Sequence, residues 1–126
     1  RGTTMSTKKM ICGIAFIGFL ICTFVFAGGV EQFIDLASIL VVVILGSLFA
    51  IAVDGDDSFV QKFGDGCVRA GWIGTIIGLI VIFGSERFTS FDTAEIGPAA
   101  AVCLLTILYG YTFKMLSMIL DPEVET

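Results

Sequence analysis

The chain has 126 residues, 56% of them hydrophobic, with a mean hydropathy of +1.00. Twelve acidic residues against seven basic ones give a net charge of −5, and histidine is absent. These values exclude a water-soluble globular domain, leave no basic stripe for nucleic acid, and remove the commonest general base and metal ligand.

The residues ahead of Met5, Arg-Gly-Thr-Thr, read as a remnant of processing, and residues 1–9 form a tail outside the fold. The first apolar run is Met10–Ala27, "MICGIAFIGFLICTFVFA". Lys8 and Lys9 ahead of it and Val25-Phe26-Ala27 at its end give it a rival reading as a secretory signal. Its length exceeds a signal core, so an uncleaved span is expected. The second run is Leu36–Val53, "LASILVVVILGSLFAIAV"; the third is Cys67–Gly84, "CVRAGWIGTIIGLIVIFG". The fourth is Pro98–Leu120, "PAAAVCLLTILYGYTFKMLSMIL", followed by a tail, 121–126. Helices rise about 1.5 Å per residue, so about 18 residues reach about 27 Å, close to the ~30 Å hydrocarbon core. None of the runs alternates as a barrel strand would, so each is expected to be a helix with its backbone satisfied internally.

Three short connections, Gly28–Asp35, Asp54–Gly66 and Ser85–Gly97, make sequential helices antiparallel neighbours. The fold class is therefore an all-α membrane protein: one antiparallel four-helix domain over residues 10–120. Arg1, Lys8 and Lys9 precede the first run and Lys62 and Arg69 mark the middle connection, whereas the other two connections carry only Arg87. The positive-inside rule then puts both termini in the cytoplasm. Lys114 is expected to snorkel to that side. The middle loop "DGDDSFVQKFGDG" has EF-hand-like letters but lacks the closing Glu, and reads as a solvated turn. Cys12, Cys22, Cys67 and Cys103 show no CxxC spacing and read as small packing residues; no metal site is expected.

Two of the runs carry small-residue faces. Gly71, Gly74, Thr75 and Gly78 follow i, i+3, i+4, i+7 spacing, and Ala99, Cys103, Thr106 and Gly110 follow i, i+4, i+7, i+11. Such faces admit a neighbouring backbone, since membrane helices associate by packing. The two threonines give each face a hydroxyl, either as a simple back-bond to the helix's own carbonyl or as lining of a polar path. The first two runs are greasier and read as lipid-facing or peripheral. No Asp or Glu falls in the centre of any run. A mover of ions would then need a carboxylate from another chain. With no mid-span acid–base pair and no activated nucleophile, an enzyme is not expected.

The blocks "AGWIGTIIGLIVIFGS" and "AEIGPAAAVCLLTILYG" resemble the last two membrane helices of the MotA/TolQ/ExbB proton-channel family, nearest its MotA/PomA stator branch. "FAGGVEQFIDLASILVVVILGSL" resembles the start of that family's second helix. The resemblance spans roughly residues 26–120. It implies a multi-pass protein of the bacterial inner membrane that forms a homopentameric ring around a single-span partner of the MotB/ExbD/TolR type. That partner's Asp would carry a translocated H⁺ or Na⁺, with no other cofactor. Thr75 matches the threonine of the family's third helix. The fourth-helix threonine of the family falls at Ile107, so Thr106 matches it only as the first of a tandem pair. Asp35 matches an acidic residue near the outer mouth. As an exposed carboxylate it would raise local cation concentration; as a residue ahead of a helix it equally suits the dipole. The family's torque-generating cytoplasmic domain is missing: the short loop Asp54–Gly66 stands in its place. A non-conducting oligomeric scaffold, packed through the same faces, is the alternative.

Overall fold

The computed structural model describes residues 7–90 and 92–121. The outer parts of both tails, 1–6 and 122–126, lie outside the described residues. The described chain is helical: α1 (Thr7–Phe26), a 3₁₀ turn (Val30–Phe33), α2 (Leu36–Ala52), α3 (Phe59–Phe83), a single-turn α4 (Glu86–Thr89) and α5 (Thr93–Leu120). Helices α1, α3 and α5 are long and apolar enough to cross a membrane; α2 is equally apolar but has 17 residues. The protein is an all-α membrane protein.

Three helices start earlier than their apolar runs: α1, whose Thr7 start takes in residues 7–9 of the expected tail, α3 and α5. Helix α3 begins at Phe59, not at Cys67, because Ser58 caps it: the Ser58 hydroxyl accepts from the Gln61 N–H at 3.2 Å. Ser and Gln three residues apart form the pattern of a capping box. Residues 59–66, more than half of the expected middle loop, are therefore helix. Helix α5 begins at Thr93 and carries Pro98 inside its second turn.

Helices α3 and α5 form the core pair, antiparallel and very close. A β-carbon built on Gly71 would stand 2.6 Å from the Thr106 carbonyl oxygen, and one on Gly110 would stand 2.5 Å from the Cys67 carbonyl oxygen. Only residues lacking a side chain permit that approach. Toward the other end, Gly64 lies against Ser117.

Helix α2 packs on this pair, contrary to the expectation that it is peripheral. Ser38, Val42, Gly46 and Ala50 form a buried stripe at four-residue spacing. Gly46 meets the Cys67 thiol and backbone, and Gly66 meets Gly46 and Phe49. Val42, Cys67, Leu105 and Tyr109 make the central buried cluster. The high hydropathy of α2 hides this stripe, since its lipid face and its packing face are both apolar.

Helix α1 is peripheral, as expected. Gly13 is its one buried residue, set against Leu120 and Ile119. Near the same end Lys9 donates to the Asp121 carbonyl, and the Ser58 hydroxyl donates to the Asp121 carboxylate at 2.8 Å. A stack of Phe24 on Phe33 anchors the other end of α1. Cys12 and Cys22 are exposed on this helix, unlike the buried Cys67 and Cys103, so they do not serve as internal packing residues.

Lys114 does not reach freely for water. It makes an ion pair with Asp65 across the α3–α5 contact. Arg69, one turn further along α3, lies over the Phe49 ring at 5.0 Å and donates to the Asp65 carbonyl.

Candidate functional site

The two small-residue faces read from the sequence meet each other within one chain. Gly71, Gly74 and Gly78 of α3 face Thr106, Ile107 and Cys103 of α5. Ala99 is not drawn into this seam. It is exposed, and lines a small cleft with Val81, Ile82, Ser85, Glu95 and Ile96.

At the centre of the seam lies a cluster of four oxygens. Thr75 Oγ1 is 2.8 Å from Thr106 Oγ1, 2.9 Å from the Gly71 carbonyl oxygen and 2.8 Å from that of Cys103. Thr106 Oγ1 is 2.7 Å from the Cys103 carbonyl oxygen and 3.1 Å from that of Gly71. Each threonine thus back-bonds within its own helix and also reaches the facing one. Both side chains are buried, at 5% and 6% exposure. Two hydroxyl hydrogens serve five short contacts, so the cluster is rich in acceptors and short of donors. Among the described residues no buried side-chain oxygen lacks a partner, so the cluster is satisfied within the chain while its lone pairs keep it polar in low-dielectric surroundings.

A groove of about 240 Å³ opens beside this cluster. Its walls come from α2 (Ala37, Ser38, Val41), α3 (Gly74, Ile77, Gly78) and α5 (Val102, Cys103, Thr106), with Asp35 at its rim. Asp35 is half-buried and caps α2: its Oδ2 accepts from the Ser38 N–H at 2.9 Å and from the Ser38 hydroxyl. Both bonds converge on one carboxylate oxygen. Asp35 is therefore a helix cap and a groove-lining carboxylate at once.

The level of Asp35 follows from unequal helix lengths. Helix α3 runs on from Gly78 to Phe83, and α5 starts at Thr93, well before Cys103. At about 1.5 Å per residue, Asp35 lies roughly 8 to 15 Å short of the ends of its two neighbours. Tyr109 of α5 holds it there. The Tyr109 hydroxyl accepts from the Asp35 N–H at 2.8 Å and donates to the Phe33 carbonyl. The turn that lets the chain dip is supplied by Gly28 and Gly29, with φ of 125° and 118°, a region that side chains oppose.

Tyr109 is a site residue that the sequence reading missed, and Ser38 entered that reading only as the serine that accompanies Asp35 in the resemblance. Ser38 was legible as the third residue after Asp35, the spacing of an Asx cap. Tyr109 carried no local signal, because its partners lie 74 and 76 positions away. Among the described residues no group of three or more His, Cys, Asp or Glu could hold a metal ion.

Comparison with known proteins gives one informative likeness. The chain is 44% identical over 50 residues to the chemotaxis protein PomA of Vibrio alginolyticus. The match spans 40% of this chain and 18% of that relative. No family model matches the chain, and no solved structure does. The likeness agrees with the MotA/PomA side of the resemblance seen in the sequence, over part of the chain.

Proposed function

We propose that the chain is the ring-forming subunit of an ion-driven motor or channel of the bacterial inner membrane, acting with a single-span partner of the MotB/ExbD type. The observation that carries this reading is the donor-poor oxygen cluster of Thr75 and Thr106, set mid-helix beside a groove with Asp35 at its rim. A carboxylate at a groove mouth concentrates cations, and an acceptor-rich cluster further in gives them a second polar stop. The partner supplies the carboxylate that binds and releases H⁺ or Na⁺, because α3 and α5 hold no acidic residue at the depth of the threonines. The partial likeness to PomA supports the same class. The short connection between α2 and α3 leaves no room for a cytoplasmic torque domain there, so the work done is coupled through the partner. Five copies per ring is carried from the family resemblance.

The test is reconstitution. The chain is purified with a co-expressed single-span protein that bears a membrane Asp, and placed in vesicles under a proton or sodium gradient. Cation flux that falls several-fold in Asp35→Asn supports the reading. A complex that assembles but shows no flux under either gradient refutes it.

The alternative, a non-conducting scaffold, is favoured by one specific observation: both threonine hydroxyls find partners inside their own chain. In that case Thr75→Val changes helix packing and no transport property.

A further inference from the structure

We infer that Tyr109 is a positioning residue, which holds the α2 entrance beside the groove of Gly74, Gly78 and Thr106 and so sets where Asp35 presents its carboxylate. The inference rests on the proposed role of Asp35 for its functional meaning, but its structural half stands alone.

The chain enters α2 in an unusual way for a membrane helix. The segment from Gly28 to Asp35 turns back short of the ends of α3 and α5, where Glu31, Gln32 and Ile34 stay exposed but Phe33 and Asp35 are partly buried against α5. An unpaired N–H or C=O in such surroundings is costly, so the segment needs internal partners. Asp35 solves part of the problem itself by capping α2 through Ser38. Its own N–H and the Phe33 carbonyl are beyond the reach of that cap. The Tyr109 hydroxyl serves both, as acceptor for one and donor to the other. One phenol therefore satisfies two main-chain groups on either side of Ile34. Because Tyr109 is buried at 9% exposure, among Val42, Cys67 and Leu105, its ring is fixed and the hydroxyl has a defined place.

Position matters here because the Asp35 carboxylate has only a short reach. Both Ser38 donors hold Oδ2, which leaves Oδ1 as the oxygen available toward the groove. If the segment rises toward water, the carboxylate leaves Gly74, Gly78 and Thr106 behind. Phe33 then keeps its stack on Phe24 and its packing against the Val42, Cys67, Leu105 and Tyr109 cluster, contacts that lack the direction a hydrogen bond gives. The double-glycine turn would allow the shift at little cost.

Tyr109→Phe tests this, since it removes the hydroxyl and keeps the ring. The complex with its partner is used, with Cys12 and Cys22 replaced by Ala and a thiol introduced by Ala37→Cys, at an exposed groove position. Two measurements report position without reference to transport: hydrogen exchange of the Asp35 amide, and the rate at which a charged, water-soluble thiol reagent modifies residue 37. Both are expected to rise roughly tenfold or more on loss of the hydroxyl. Placing 4-aminophenylalanine at 109, which restores the donor to the Phe33 carbonyl but not a good acceptor for the Asp35 N–H, should bring the labelling rate back toward wild type and leave the amide exchange raised. Unchanged exchange and unchanged labelling in Tyr109→Phe overturn the inference, because a ring that only packs would behave that way. If Tyr109→Phe does not assemble, exchange of the Asp35 amide in the 4-aminophenylalanine protein decides: a raised rate supports the inference, because the acceptor for that N–H is lost, and a wild-type rate overturns it.

Cation flux separates this inference from the reading beneath it. In a conducting complex, Tyr109→Phe should raise the half-saturating cation concentration several-fold with little change in the maximal rate. Equal half-saturation overturns the functional half of the inference. Absence of flux in the wild-type complex fails the functional reading instead, and leaves the exchange and labelling results to judge Tyr109.

Discussion

Gly71→Ala is the sharpest test of how the core pair is built. The added β-carbon would stand 2.6 Å from the Thr106 carbonyl oxygen and 3.2 Å from the Ile107 α-carbon. Both obstacles are backbone, so no rotamer change relieves them. Restoring an ordinary contact of about 3.4 Å needs roughly 0.8 Å of separation between α3 and α5, and overpacking of this sort costs about 1 to 3 kcal/mol. The same movement stretches the Thr75 hydroxyl contact with the Cys103 carbonyl from 2.8 Å to about 3.6 Å, past hydrogen-bond range. Interhelical hydrogen bonds in membranes average about 0.6 kcal/mol, with values up to about 1.7. The total expected loss is therefore about 2 to 4 kcal/mol, larger than the gain of about 1 kcal/mol in helix propensity. The assay is reversible unfolding in mixed micelles, with Gly18→Ala as control, since a β-carbon there meets nothing within 4 Å. If Gly71→Ala unfolds at the same denaturant level as Gly18→Ala, the close α3–α5 approach is wrong.

Other outcomes follow from the same contacts. Thr75→Val and Thr106→Val each keep shape and lose a hydroxyl; in a double-mutant cycle the two losses should be less than additive, because the hydroxyls share the same carbonyls. Strict additivity would mean that the cluster is not a unit. Asp65→Asn should cost no more than about 1 kcal/mol, and less in high salt, because both members of its ion pair with Lys114 are partly exposed; unfolding at two ionic strengths checks it. Ser58→Ala should cost about 1 to 2 kcal/mol through the lost α3 cap, and should loosen the Asp121 corner as well, seen as faster hydrogen exchange at the start of α3.

Much of the helical plan was readable because apolar length is a strong signal in lipid. The α3 face was readable too: Gly71, Gly74, Thr75 and Gly78 do carry the close approach. What spacing alone could not supply was the partner of that face. A small-residue stripe says that a backbone comes near and not whose backbone it is. The matching register of Cys103, Thr106 and Gly110 pairs the two stripes inside one chain, while Ala99 lies beyond the contact. The stripe of α2 was present in the letters, Ser38, Val42, Gly46 and Ala50, but was drowned by the hydropathy around it. The start of α3 was present as Ser58 and Gln61, and was missed because apolar length was weighed above capping. The Asp65–Lys114 pair and the Tyr109 clamp join residues 49 and 74 positions apart, and needed the tertiary register before they could be seen.

The seating of α1 has a consequence for the order of assembly. Its described side-chain partners at one end, Leu120 and Asp121, belong to the far end of the sequence. During synthesis α1 enters the bilayer long before those residues exist. Until then its described contacts are those at the other end, where Phe24 stacks on Phe33, and α2 and α3 can pair in the meantime. Of the helices described, α1 is thus the first made, and its seating on α5 is completed last.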